Sequence, residues 1–126
     1  VDIRVKNTSV YESDGGTSVT QNLVQGVAKA WVFIEGDGTP SNANSFNTAS
    51  LTDVATGIIA NNFTNNMSDD NFSTNALPME QSFTATMMEL TSSSQRSSSR
   101  SVSLSSNGTA HADTDSRNHT VHGDLA

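Results

Sequence analysis

The segment Ala28 to Ile34, "AKAWVFI", constrains this chain more than any other. A strand turns successive side chains to opposite faces. Ala28, Ala30, Val32 and Ile34 then point one way, and Trp31 and Phe33 the other. Both faces are largely apolar, so the strand is expected to be covered on both sides. A monomeric sandwich normally leaves one face of each sheet wet, so the second face needs a partner. Composition sharpens that demand. Only 33% of the 126 residues are hydrophobic, while Ser, Thr and Asn together supply 48. Cysteine is absent, so no disulfide can staple a thin core. Association with identical copies is one source of the missing burial.

The remaining pattern is of short strands and turns. Val1, Ile3 and Val5 alternate with Asp2, Arg4 and Lys6, the period of a half-buried strand, and Ser13 to Gly16 then reads as a turn. Val19 to Val24 carries a weaker apolar pattern that Gly26 interrupts. Residues 1–27 are therefore expected to form an N-terminal strand and connecting segment, and residues 28–126 a β-sandwich domain. Gly36 to Pro40 closes the strong strand with residues suited to a turn. Strands are expected at Phe46 to Val54, Ile58 to Phe63 and Phe72 to Leu77, with Ala55 to Gly57 a tight connection and Pro78 a stop. Asn65 to Asn71 is turn-rich. Further strands are expected at Phe83 to Met88, around Val102 and Leu104, and from Thr120 towards Leu125, with a turn at Asn107-Gly108. Seven or eight such strands predict an all-β fold, an antiparallel β-sandwich.

Net charge is -7, which disfavours a nucleic-acid backbone as partner, since that needs a clustered basic face. No apolar run approaches 18 residues, so no membrane insertion is expected. Val1 opens no signal peptide, and its place at the start suggests a processed chain or a piece of a longer one.

One set of segments is more specific than composition. "AKAWVFIEGDGT" (Ala28 to Thr39) and "SFNTASLTD" (Ser45 to Asp53) are followed by "NNMSDDNFST" (Asn65 to Thr74) and the terminal "HGDLA" (His122 to Ala126). In this order they resemble a distal domain of bacteriophage tail-fibre proteins, over about Ala28 to Ala126. The resemblance implies a β-rich receptor-binding tip, usually trimeric, that contacts a bacterial surface. Phe33 stands where that pattern has a polar residue, and His119 and His122 where apolar residues are more usual.

Candidate chemistry is sparse. His111, Asp113, Asp115, His119, His122 and Asp124 crowd the C-terminus, but their spacing fits no established metal motif. Asp69, Asp70 and Asn71 lack the glycine and distal glutamate of an EF-hand loop and suit a turn. No nucleophile elbow and no placeable acid pair is present, so no catalytic residue, metal or cofactor is expected. The run Ser92 to Arg100 reads as a hairpin loop set in an acidic domain, not as an RNA-binding tract.

The resulting expectation is a homotrimeric virion structural protein that mediates host attachment. Ala28, Ala30, Trp31, Val32 and Phe33 would build the core and the subunit contacts. Receptor contacts would fall to loop residues Asp37, Gly38, Asn65, Asn66, Asp69, Asp70, Ser94, Gln95 and Arg96. Its partners would be its own copies, other tail proteins, and a bacterial surface glycan or protein receptor. A capsid-decoration protein is the alternative role, and a carbohydrate-active tail enzyme the third.

Overall fold

A computed structural model describes residues 2, 4–6, 8–12, 20–36, 38–89 and 96–126. Among them, β1 (Val10–Glu12) pairs with β2 (Thr20–Asn22), and a single helical turn, α1 (Leu23–Gly26), follows. Eight further strands form two sheets. They are β3 (Ala30–Glu35), β4 (Ser41–Phe46), β5 (Thr48–Ala55), β6 (Ile58–Phe63), β7 (Ser73–Met79), β8 (Thr86–Glu89), β9 (Arg100–Ser106) and β10 (Ser116–His122). The first sheet runs β4-β3-β10-β7 and the second β5-β6-β9-β8, every pairing antiparallel. The fold is all-β, as expected.

The sheets meet across a core that is only partly apolar. Val32 and Ile34 of β3 pack with Ile59 of β6. Towards one end Ala30, Val121, Phe63, Met67 and Phe72 form a second cluster, with the Phe63 and Phe72 rings edge to face at 5.7 Å. Between these lie buried polar groups. Ser101, Ser103 and Ser105 of β9 and Arg117 and His119 of β10 are almost wholly enclosed. Ile58, Ala60, Val102 and Leu104 form a third cluster. By strand alternation they occupy the other face of the second sheet. The strands covered on both faces within one chain are therefore β6 and β9; β3 is covered on one.

Several expectations shift. Asp2 and Arg4–Lys6 are not in a strand, and among the described residues none pairs with them, since alternation without a ladder partner makes no strand; Val1, Ile3 and Ser13 to Gly16 lie outside the described residues. The expected strand Phe46–Val54 is two strands broken at Asn47, whose φ of 56° turns the chain from the first sheet into the second. Asn tolerates this left-handed conformation better than most residues. Its side chain also holds the corner together. Nδ2 donates to the Lys29 and Asn65 carbonyls at 2.9 and 3.0 Å, and Oδ1 accepts from the Asn65 N–H at 2.7 Å. Asn47→Ala should lower unfolding free energy by about 2 kcal/mol, from lost bonds and a disfavoured φ. Urea titration checks this, and a loss under about 0.5 kcal/mol would show that the corner is held by other means.

Pro78 does not stop β7, which continues to Met79. That strand is a sheet edge, where a missing N–H breaks no ladder. The strand expected from Phe83 begins only at Thr86.

Candidate functional site

The outward face of the first sheet carries exposed aromatic and aliphatic side chains. Alternation along β3 turns Ala30, Val32 and Ile34 inward, each at most 1% exposed, and leaves Trp31, Phe33 and Glu35 outward. Strand register builds rows across that face. Phe46, Trp31, Thr120 and Asn75 form one; Asn44, Phe33, Asn118 and Leu77 the next; Ser41, Glu35, Ser116 and Met79 the third. Trp31 is 37% exposed, Phe46 55%, Leu77 59% and Met79 39%, with Phe33 half-buried. Five large apolar side chains thus share one open sheet face. Apolar clustering of this kind, rimmed by polar residues, marks interaction surfaces.

Of the five residues expected in the core or at a subunit contact, Ala30 and Val32 are in the core. Ala28 is half-buried, and Trp31 and Phe33 lie on the open face. Phe46 and Leu77 were not singled out from sequence. Their signal lies in the register, which a strand taken alone does not carry.

Phe46 also lines a groove of about 350 Å³ with Val5, Leu23, Val27 and Leu125. A neighbouring hollow of about 400 Å³ shares Lys29 and Leu125 and adds Ser68 and Asp124. Lys29 is buried, and its Nζ donates to the carbonyls of Val24 and Val27, satisfying the end of α1. Burial pushes its pKa below the usual lysine range, partly offset by Asp124. Gln25 in turn donates to Asp124. These groups fasten α1 to the C-terminal segment.

The expected receptor loops divide between opposite ends of the sandwich. Asn65, Asn66, Asp69 and Asp70 sit beside the Asn47 corner and the C-terminus, through bonds from Ser68 N–H to Asp124 O and from Ala126 N–H to Asn66 O. All four are exposed. Asp69 closes its turn by accepting from the Asn71 N–H at 2.8 Å. Arg96 belongs to this end, but its guanidinium lies 3.9 Å from the Phe72 ring centroid and donates to the Phe72 carbonyl. It braces the loop. Gly38 is at the far end, where Gly36 N–H donates to Asp115 O. Asp37, Ser94 and Gln95 lie outside the described residues.

The C-terminal His and Asp residues also separate. Asp113 accepts from the Gly57 N–H at 2.7 Å, His119 is interior, and Asp124 is at the opposite end. Among the described residues no three such side chains gather closely enough to hold a metal ion. Nor is any helix there long and apolar enough to cross a membrane.

Among the described residues, one interior pairing resembles catalytic machinery. His119 Nε2 lies 2.6 Å from Ser103 Oγ, bridging the two sheets. Both residues are 0% exposed, and Nδ1 of His119 has no hydrogen-bond partner, so no carboxylate orients the ring. No substrate can reach this serine, and the bond joins sheets. A second buried bond does the same, from Arg117 Nη1 to Gly57 O at 3.1 Å. Comparison with known protein families, with curated proteins and with solved structures finds nothing that matches this chain.

Proposed function

We propose that this chain is a virion structural module of a bacteriophage tail fibre, assembled as a homotrimer and used to attach the particle to a bacterial surface. The observation that carries the reading is the open apolar face of the first sheet in a chain with so few apolar residues. A protein this polar and without cysteine gains stability by covering that face with other subunits. The turn-rich ends remain for recognition. Asn65, Asn66, Asp69 and Asp70 offer amide and carboxylate groups suited to hydrogen bonding with surface glycan or protein. Weak single contacts are then multiplied by copies within and between fibres.

Cryo-electron microscopy of the intact particle tests the assignment. Density for this domain at a fibre tip is the expected result; density on the capsid surface would make it a decoration protein instead. Replacing Asn65, Asn66, Asp69 and Asp70 together by alanine should weaken adsorption of the purified chain to host cells roughly tenfold or more. These residues are exposed, so the stability lost should not exceed about 1 kcal/mol, from the turn bond of Asp69. Unaltered adsorption would move recognition away from this end.

A further inference from the structure

The placement of charge bears on what could cover the open face. Eleven of the carboxylate residues fall among those described, in a chain of net charge -7. Asp53 and Glu89 belong to strands of the second sheet, Glu12 to the hairpin and Asp2 to the N-terminal segment. Asp69, Asp70 and Asp124 are at one end, and Glu80, Asp113 and Asp115 at the other, where the Asp115 N–H donates to Glu80. Among the strand residues of the first sheet, Glu35, at the margin, is the one carboxylate that shares the face with Trp31, Phe33, Phe46, Leu77 and Met79. Its other outward strand residues are Asn, Ser and Thr, with His122 opposite Ser73 in the end row.

Two copies of an acidic chain repel wherever carboxylates meet, and desolvating an unpaired carboxylate is costly. A surface nearly cleared of acid but rich in aromatic and aliphatic groups is where like-charged copies can approach closely. We propose that copies of this chain meet through the outer face of the first sheet, with Trp31, Phe46 and Leu77 as the buried anchors. This rests on the assembled reading above and identifies its contact surface. Phe46 joins the face to the groove lined by Val5, Leu23, Val27 and Leu125, so the contact continues around that edge of the sandwich. Aromatic anchors surrounded by amide and hydroxyl groups have the makeup of an interface centre with a polar rim.

Trp31 is the only tryptophan, so its fluorescence reports directly on the face. In the full chain, the expected result is blue-shifted emission resistant to acrylamide in the oligomer. Dilution should shift it red in step with the fall in mass measured by light scattering. Leu77→Glu, which leaves the reporter in place, should raise the dissociation constant roughly thirtyfold or more. Val54→Glu, on exposed β5 of the second sheet, should leave mass unchanged. Circular dichroism of each variant confirms that the strands persist. An oligomer in which Trp31 stays red-shifted and quenchable would overturn this surface while leaving assembly intact. A wild-type chain monomeric at all concentrations would remove the assembled reading and this one together.

Discussion

Gly57→Ala should cost about 3–5 kcal/mol of unfolding free energy, a large share of what a domain of this size possesses. Gly57 sits at the turn between β5 and β6 with φ of +74°, where any Cβ is disfavoured by about 1 kcal/mol. The larger part of the cost is steric. An added Cβ would lie 2.6 Å from the Ser105 carbonyl oxygen and 2.9 Å from both N and O of Ala112, all backbone atoms that cannot rotate away. Relief requires the turn to move, and that turn is a junction. Its carbonyl accepts from Ser105 N–H at 2.8 Å and from Arg117 Nη1 at 3.1 Å, while its N–H donates to Asp113. Shifting it loosens the β9 contact and the buried Arg117 together, and burial already lowers that arginine's pKa against the opposing fields of Asp113 and Asp53. Gly108→Ala is the matched control. Its φ is +87° but nothing lies within 4 Å of the added Cβ, so only about 1 kcal/mol should be lost. Urea unfolding of both variants gives the comparison; equal losses would mean that the backbone contacts at Gly57 yield easily.

That junction also marks what sequence could and could not convey. Gly57 as a turn and Ile58 to Phe63 as a strand were legible because a glycine stop abuts a dense apolar run. β4 was not. Its residues, Ser-Asn-Ala-Asn-Ser-Phe, are mostly exposed and carry no alternation. It is a strand because backbone groups bond to β3, and that leaves no mark on side-chain type. The open face escaped for a related reason. Trp31 and Phe33 were visible, but Phe46 and Leu77 come from other strands, and only register places them in the same rows.

The interior inverts the usual reading of polarity. Val102 and Leu104 alternate with Ser101, Ser103 and Ser105, a pattern that would normally turn the aliphatic residues towards the opposing sheet. Here the serines face it, because Ser103 meets His119 and Ser105 bonds to the Gly57 and Ala112 carbonyls. Val102 and Leu104 instead join Ile58 and Ala60 on the reverse face. The alternation Arg117, His119, Val121 was present in the sequence as a strand signal. Its charged and polar members suggested a surface, and the partners that make their burial tolerable, the Gly57 carbonyl for Arg117 and Ser103 for His119, come from other elements.

Mild acid should destabilise this protein through His119 by up to about 3 kcal/mol. The ring is fully enclosed, and burial first and Arg117 second hold its pKa down to about 4, from 6.5 in an unfolded chain. The strands around it contribute no balancing charge at its level: Val32 from β3 and Ala76 from β7 flank it, and Ser103 from β9 faces it, opposite Ile59 of β6. Arg117 is two residues along on the same face and is itself offset by Asp113 and Asp53. In the imidazolium both ring nitrogens carry a proton, and Nδ1 has no acceptor for its own. The sign follows from proton linkage. Because the folded pKa is the lower one, the unfolded chain binds the proton more readily between pH 6.5 and 4. The contribution is complete above about pH 6.5, falls through that window, and is exhausted below about pH 4. His119→Gln retains a polar partner for Ser103 but does not titrate. Its stability should therefore change less across the window by about the same 3 kcal/mol, measured by urea unfolding at successive pH values. Parallel pH profiles for the two proteins would mean that the buried imidazole takes up its proton without disturbing the contact between the sheets.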